Sequence, residues 1–295
     1  MSLFPRTINH SVSNYGRPVF ITGAPRCGSS WVGEILGNCI NTRYVYEPFN
    51  HRWIPALRGQ LPHFTYLDEQ SMVTGVVQQT ADGAFQGKQS GKQLARAAYR
   101  RYWAAATRSA SQVVIKDPTA PLMSAWISKQ FNAQILFVMR HPCGFASSLD
   151  ALDWKLGVTG LLRQKSLMGC HLDPFRDVLN RAKNDKWLTR GAIWASIHVV
   201  YTNQAKTHPD WLLFKYEDIC NDPSGQFTSM ATKLGLELSR GALEKIESLS
   251  TAESKDPGST RRKSKAMPSV WQQRMSDGEV DAVMGIVGEF GLDYY

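Results

Sequence analysis

Residues Val19 to Leu36 constrain the fold more tightly than any other stretch of this chain. A short apolar run, Val19-Phe20-Ile21-Thr22, ends at Gly23; the tight turn Ala24-Pro25-Arg26-Cys27-Gly28 follows, and Ser29-Ser30 open a helical pattern, Trp31-Val32-Gly33-Glu34-Ile35-Leu36. Strand, glycine-bounded loop and helix in that order are the context a phosphate-binding loop requires. The glycines let backbone N–H groups converge on an anion, and the helix N-terminus adds unsatisfied donors and the positive end of its dipole. The two hydroxyls can bond phosphate oxygens. The spacing from Gly23 to Gly28 matches Gly-x-x-x-x-Gly-Lys-[Ser/Thr], but Ser29 stands where a nucleoside triphosphatase keeps the lysine for the β and γ phosphates. A ligand with a shorter phosphate chain is implied.

The rest of the chain supplies partners for that first strand. Apolar runs at Ala133 to Met139, Gln112 to Ile115 and Trp211 to Phe214 suit parallel strands covered on both faces. Helical patterns lie between and around them, at Gly91 to Ala110, Thr119 to Phe131, Pro142 to Leu152, Lys186 to Thr207 and Asp277 to Phe290. This alternation predicts an α/β fold with a central, mainly parallel sheet and helices on its faces. Each run ends in polar or charged residues: Lys116-Asp117-Pro118, Arg140-His141-Pro142 and Lys215-Tyr216-Glu217-Asp218. Open α/β sheets bind ligands at those carboxyl ends. Pro48 to Ala84 and Asp153 to Asp185 show no clean period and read as loops or short helices beside the site.

Residues 1–295 read as a single domain, with 1–15 as a flexible N-terminus; a chain of this length can bury a full core without disulfides or metal. No apolar run approaches the ~20 residues that span a bilayer, and Met1 to Tyr15 is polar, so a soluble, cytoplasmic protein is expected. Five scattered cysteines without C-x-x-C spacing read as reduced thiols, and the histidines lack metal-ligand spacing, so no metal is expected. The net charge of +9 fits attraction to an anionic nucleotide or substrate. No recognition module or sustained basic helix accompanies it, so nucleic acid is not expected as a partner.

Four segments together resemble the sulfotransferase family, whose members move a sulfuryl group from 3′-phosphoadenosine 5′-phosphosulfate (PAPS) to an acceptor and release 3′-phosphoadenosine 5′-phosphate (PAP). The resemblance spans nearly the whole chain and implies the P-loop-like, three-layer α/β/α form of the α/β class. Pro25-Arg26-Cys27-Gly28-Ser29-Ser30-Trp31 is similar to the family's Pro-[Lys/Arg]-Ser-Gly-[Ser/Thr]-[Ser/Thr] signature. The resemblance implies that Arg26, Cys27, Gly28, Ser29 and Ser30 bind the phosphosulfate and that Arg26 neutralises charge on the leaving oxygen. A guanidinium bonds two oxygens at once and is a poor proton donor, so charge stabilisation is its expected work. Cys27 replaces the usual serine, at little cost if its backbone serves the phosphate. Trp31 matches an adenine-stacking position, with a simple core role as the other reading.

Arg140, Pro142 and Ser148 resemble Arg-x-Pro-x-x-x-x-x-Ser, whose Arg and Ser hold the 3′-phosphate in the family. Pro142 suits an early helix position, and two turns later Ser148 can return to the same exposed face. Tyr46-Glu47-Pro48 looks like a segment of carbohydrate sulfotransferases, which implies Glu47 as the base that accepts the acceptor proton. His51 and Asp117 are rival bases. Pro118 stands where cytosolic relatives keep a histidine, and Lys116 is expected to face the transferring sulfonate. Finally, Arg261, Arg262 and Lys263 resemble, loosely, a basic loop over the 3′-phosphate. Two other classes remain open: a kinase or triphosphatase sharing the first loop, and a nucleotide-binding module without transfer activity. The acceptor is expected to be a small-molecule or carbohydrate hydroxyl, with Phe49, Trp53, Phe64, Tyr66 and Trp154 equally suited to an aromatic or lipid alcohol.

Overall fold

The computed structural model describes residues 16–100, 102–251 and 264–292. Five strands, β1 (Val19–Thr22), β2 (Thr42–Tyr46), β3 (Gln112–Lys116), β4 (Gln134–Met139) and β5 (Leu212–Lys215), form one sheet in the order β2-β3-β1-β4-β5. Every pairing is parallel; Val19 lies opposite Val114 on one side and Gln134 on the other. The helices that position the site are α1 (Ser29–Leu36), α2 (Gly75–Phe85), α3 (Gly91–Tyr99), α4 (Ser124–Phe131), α5 (Pro142–Asp150), α6 (Lys186–Ala205), α7 (Pro223–Lys233), α8 (Arg240–Thr251) and α9 (Asp277–Gly288).

Side chains alternate across the sheet and build two separate cores, which makes the fold three-layered. Val19, Ile21, Tyr44, Val114, Leu136 and Val138 pack with Val32, Ile35 and Leu36 of α1 and with Phe227 of α7. Their neighbours Phe20, Val45, Ile115, Ile135 and Phe137 point the other way, onto Trp126 of α4, Phe145 of α5 and Ile193 of α6. A strand covered on both faces needs an unbroken apolar run, and all four residues of β1 are buried. Truncating such a residue, Phe137→Ala for instance, would cost about 3–5 kcal/mol in lost burial and cavity formation.

The structure departs from the sequence pattern in three places. Thr42–Tyr46 is a strand that the pattern does not mark, because Arg43 and Thr42 interrupt its apolar character. The helical pattern from Gly91 to Ala110 breaks into α3 and a turn at Trp103–Thr107. Tyr102 causes the break: it is fully buried against Tyr44 and Tyr46, with ring centroids 5.1 and 6.1 Å away. Pro48 to Ala84, expected as loops or short helices, ends in the 11-residue α2, which begins at Gly75 and packs Val77, Ala81 and Ala84 into the core. Among the described residues no helix is long and apolar enough to cross a membrane. All five cysteines carry free thiols.

Candidate active site

The carboxyl ends of β2, β3, β1 and β4 open into a cleft of about 630 Å³. β1 has β3 on one side and β4 on the other, so the segments that follow these strands converge over its end. The loop after β1 is the floor. Gly28, the N-cap of α1, has φ +99°, and a Cβ there would lie 2.5 Å from the Tyr216 ring. Gly23 has φ +141°, with a Cβ position 2.2 Å from the Val138 carbonyl. Both positions therefore require glycine for conformation and for close approach. α1 starts directly at Ser29, so the positive end of its dipole lies at the loop, and Ser29 and Ser30 line the cleft. Cys27 is buried and does not line the cleft.

Arg26 also holds a left-handed backbone, φ +67°, which costs of order 1–3 kcal/mol and is sustained by its surroundings. Its Nε–H donates to Ser148 Oγ at 3.1 Å, and its guanidinium lies 5.8 Å from the Trp154 ring centroid. The Arg140 Nη1 donates to the Arg26 carbonyl at 3.0 Å. Thus Arg26, Arg140 and Ser148, 114 and 122 residues apart in sequence, form one cationic corner. Arg140 stacks over Tyr216 at 4.7 Å, and its carbonyl accepts from Trp194 Nε1 at 2.8 Å. Its Nε is buried without a hydrogen-bond partner, an unmet donor in a site that could receive an anionic oxygen. The following His141 accepts the Cys143 N–H on Nδ1 and stacks on Trp271 at 4.7 Å. Burial, then the Arg140 charge, pushes its pKa down to about 4. This contact brings the C-terminal segment, and with it Arg274, to the cleft wall.

The opposite corner is built on Glu47. Its N–H continues the β2 ladder onto the Lys116 carbonyl at 2.7 Å, and its backbone then turns left-handed, φ +42°. The carboxylate is fully engaged: Oε1 meets Lys116 Nζ at 2.5 Å, and Oε2 accepts from Asn50 Nδ2 at 2.8 Å and Trp53 Nε1 at 2.9 Å. Burial alone would raise its pKa; the Lys116 charge, with these hydrogen bonds, outweighs burial and holds the group ionised, below the usual carboxylate range. Glu47 is the one acidic side chain on the cleft wall among the described residues.

Lys116 was expected to face a sulfonate. The structure buries it completely beneath the cleft, its ammonium 4.1 Å over the Tyr46 ring and directed to Glu47. Asp117 is likewise buried: Oδ2 accepts from the Phe49 N–H at 2.7 Å, and Oδ1 accepts from Thr119 N and Oγ1 at 2.9 and 2.6 Å. It ties the loop after β2 to the loop after β3, and burial with the Glu47 charge pushes its pKa up to about 7. His51 stacks on His63 at 4.4 Å and is not part of the cleft wall. Trp31 touches the cleft but packs edge-to-face with Phe227 and Tyr216, at 5.3 and 6.5 Å, and is mostly buried. Arg261, Arg262 and Lys263 lie outside the described residues.

Sequence reasoning missed Asn50, Arg96 and Arg100, and read Trp53 only as an acceptor-side aromatic rather than a partner of Glu47; all four are on the cleft wall. A usable signal existed for the arginines: they stand four apart, on one face of α3 and its C-cap.

An open α/β sheet with a glycine-bounded anion loop at its first strand defines a class of group-transfer and nucleotide-binding proteins. The model of the sulfotransferase family matches residues 18–240, and the chain belongs to that family. A search of curated proteins gave no match. Among solved structures, the sulfotransferase domain of a Synechococcus olefin synthase shares the fold at 16% identity and a TM-score of 0.53, over 96% of this chain and 98% of that one. A Mycobacterium avium sulfotransferase is 13% identical, with a TM-score of 0.47 over 95% of this chain and 78% of that one. A mouse sulfotransferase complexed with PAP is also 13% identical, with a TM-score of 0.45 over 92% and 82%.

Proposed function

We propose that this sulfotransferase uses PAPS as donor and an acceptor hydroxyl as nucleophile, with Glu47 as base. The observation that carries the reading is the corner where Arg26 bonds Ser148 and Arg140 bonds the Arg26 carbonyl, because it joins two anion-binding segments at one end of the cleft. The residues suit the donor's anions: Gly28, Ser29, Ser30 and Arg26 for the 5′-phosphosulfate, Arg140 and Ser148 for the 3′-phosphate, with the buried Arg140 Nε as a donor in waiting. Trp31 offers an edge near the same corner. When bound, PAPS supplies a sulfur whose bond to the bridging phosphate oxygen breaks as the acceptor oxygen bonds to it.

The chain's own residues manage charge and the proton. Arg26 stabilises negative charge developing on the bridging oxygen, and the acceptor proton passes to Glu47. Lys116 acts through Glu47: it holds Oε1 and keeps the carboxylate ionised, so it is a positioning residue. A carboxylate so stabilised is a weak base until its surroundings change. A sulfonate drawn to Arg26 lowers the positive potential around Glu47 and makes it more basic when the proton must be taken.

Calorimetry with PAP and ATP tests the donor assignment on the full chain. Binding of PAP at least about 100-fold tighter than ATP is expected, since Ser29 leaves no lysine for a γ-phosphate. A preference for ATP would overturn the reading in favour of a kinase or triphosphatase.

A further inference from the structure

The Glu47 side of the cleft carries positive charge that the donor sites do not account for. Arg96, on α3, lays its guanidinium on the Tyr46 and Trp53 rings at 4.6 and 5.1 Å, and Arg52 lies 5.2 Å from the Trp53 ring. Trp53 is the residue whose indole N–H bonds Glu47. Two guanidinium groups therefore share the ring that holds the proposed base, and both line the cleft.

Stacking orients a guanidinium without neutralising it; Arg96 also interacts with the Tyr46 hydroxyl and feels the Glu47 charge. Among the described residues, neither Arg52 nor Arg96 stands at ion-pair distance from a carboxylate, and the Arg96 Nε is buried without a hydrogen-bond partner. Arg100, by contrast, pairs with the buried Glu34 at 3.6 Å. The arrangement is also braced. Ser90 and Gln93 form a capping box at the start of α3; Gln93 Nε2 then donates to the Tyr46 carbonyl at 2.5 Å and Ser90 Oγ to the Trp53 carbonyl at 3.1 Å. These bonds pin α3 to β2 and to the Trp53 loop, so Arg96 is presented by a rigid element.

On the donor reading above, the 3′-phosphate lies with Arg140, away from these residues. The end of β2 lies three strand positions from the end of β4, where Arg140 stands, a lateral distance of roughly 14 Å. We propose that the acceptor is itself an anion: a hydroxyl compound carrying a carboxylate, sulfate ester or phosphate ester, held by Arg96 and Arg52 while its hydroxyl meets Glu47. This rests on the sulfotransferase reading above and narrows it to a substrate class.

Matched acceptors that differ only in charge provide the test: p-nitrophenyl glucuronide against p-nitrophenyl glucoside, and 4-hydroxybenzoate against 4-hydroxybenzamide. Sulfonate transfer from PAPS is followed by mass spectrometry, and binding to the PAP-saturated full chain by calorimetry. The anionic member of at least one pair is expected to be favoured about tenfold or more, the worth of one hydrogen bond to a charged group. Arg96→Met and Arg52→Gln should each erode that preference while PAP affinity stays within about twofold, since the 3′-phosphate lies beyond their reach. Equal handling of both members in both pairs, including no binding of either, overturns the proposal. So does an Arg96→Met protein that loses PAP as Arg140→Ala does, because Arg96 would then serve the donor. If the wild type fails to bind PAP, the donor assignment falls and takes this inference with it; retained PAP binding without charge preference removes the anionic acceptor alone.

Discussion

The two corners of the cleft are assembled on different principles. At the β1–β4 corner, Arg26, Arg140 and Ser148 each sit within a short motif whose local backbone, a glycine-bounded turn or a proline-started helix, already presents donors. At the β2–β3 corner, Glu47 depends on Lys116, 69 residues away, and on a loop that Asp117 fastens from below. The first corner is a set of cations with an unmet donor; the second is a carboxylate with every oxygen taken. On the proposed function, the contrast means that binding the donor and activating the acceptor are separable tasks in this fold. A preformed anion site can be made from local geometry, whereas a buried base needs a counter-ion brought by another strand.

The sharpest way to break that separation is Glu47→Gln. Turnover should fall by about 10³-fold, within the range general base catalysis supplies, while PAP affinity measured by calorimetry stays near wild type. Near-normal turnover would remove Glu47 as the base, and lost PAP binding would show the corners to be one unit. Lys116→Met comes next. It strands a buried carboxylate, so about 3–5 kcal/mol of stability should be lost, and Lys116→Met/Glu47→Gln should recover part of it.

The pH dependence of melting gives this second test its sign. In the wild type, Glu47 has a lowered pKa when folded, so its contribution is fully present above the unfolded value of about 4.3 and is lost as pH falls from there through the folded value of about 2. In Lys116→Met, burial acts without its counterweight and raises the folded pKa. Stability should then rise as pH falls from neutral toward 4. A variant with wild-type pH dependence would mean that Lys116 does not govern Glu47. Arg140→Ala has the smallest expected effect: a loss of about 10–100-fold in PAP affinity, the worth of one or two hydrogen bonds to a charged group. Turnover at saturating PAPS should change much less.

Much of the fold was legible in the chain, and the reason is burial. β1, β3 and β4 announce themselves because a strand covered on both faces must be continuously apolar; β5 carries the same apolar signal although it is an edge strand that leaves Leu213 exposed. β2 was hidden because Thr42 and Arg43 interrupt its apolar run, and α2 because its apolar positions are few. Arg26, Gly28, Ser29, Ser30, Arg140 and Ser148 were also legible, since short-range backbone requirements dictate their spacing, and Glu47 through its neighbours Tyr46 and Pro48. The standing of Lys116 and Asp117 was not. Adjacent residues at one strand end proved to be a counter-ion and a loop fastener, because alternation along β3 and the end of its ladder send their side chains to different partners.

By itself, then, the sequence determined the parallel sheet, the loop that lacks a lysine and the motif that answers it from β4. Those features rest on local conformation and on apolar continuity, which a linear reading can see. Only the tertiary structure decided that Arg26 bonds Ser148, that Lys116 lies beneath the cleft rather than in it, and that Arg52 and Arg96 gather on Trp53 beside Glu47. Each of these depends on strand register and helix docking, which bring together charges that no spacing along the chain relates.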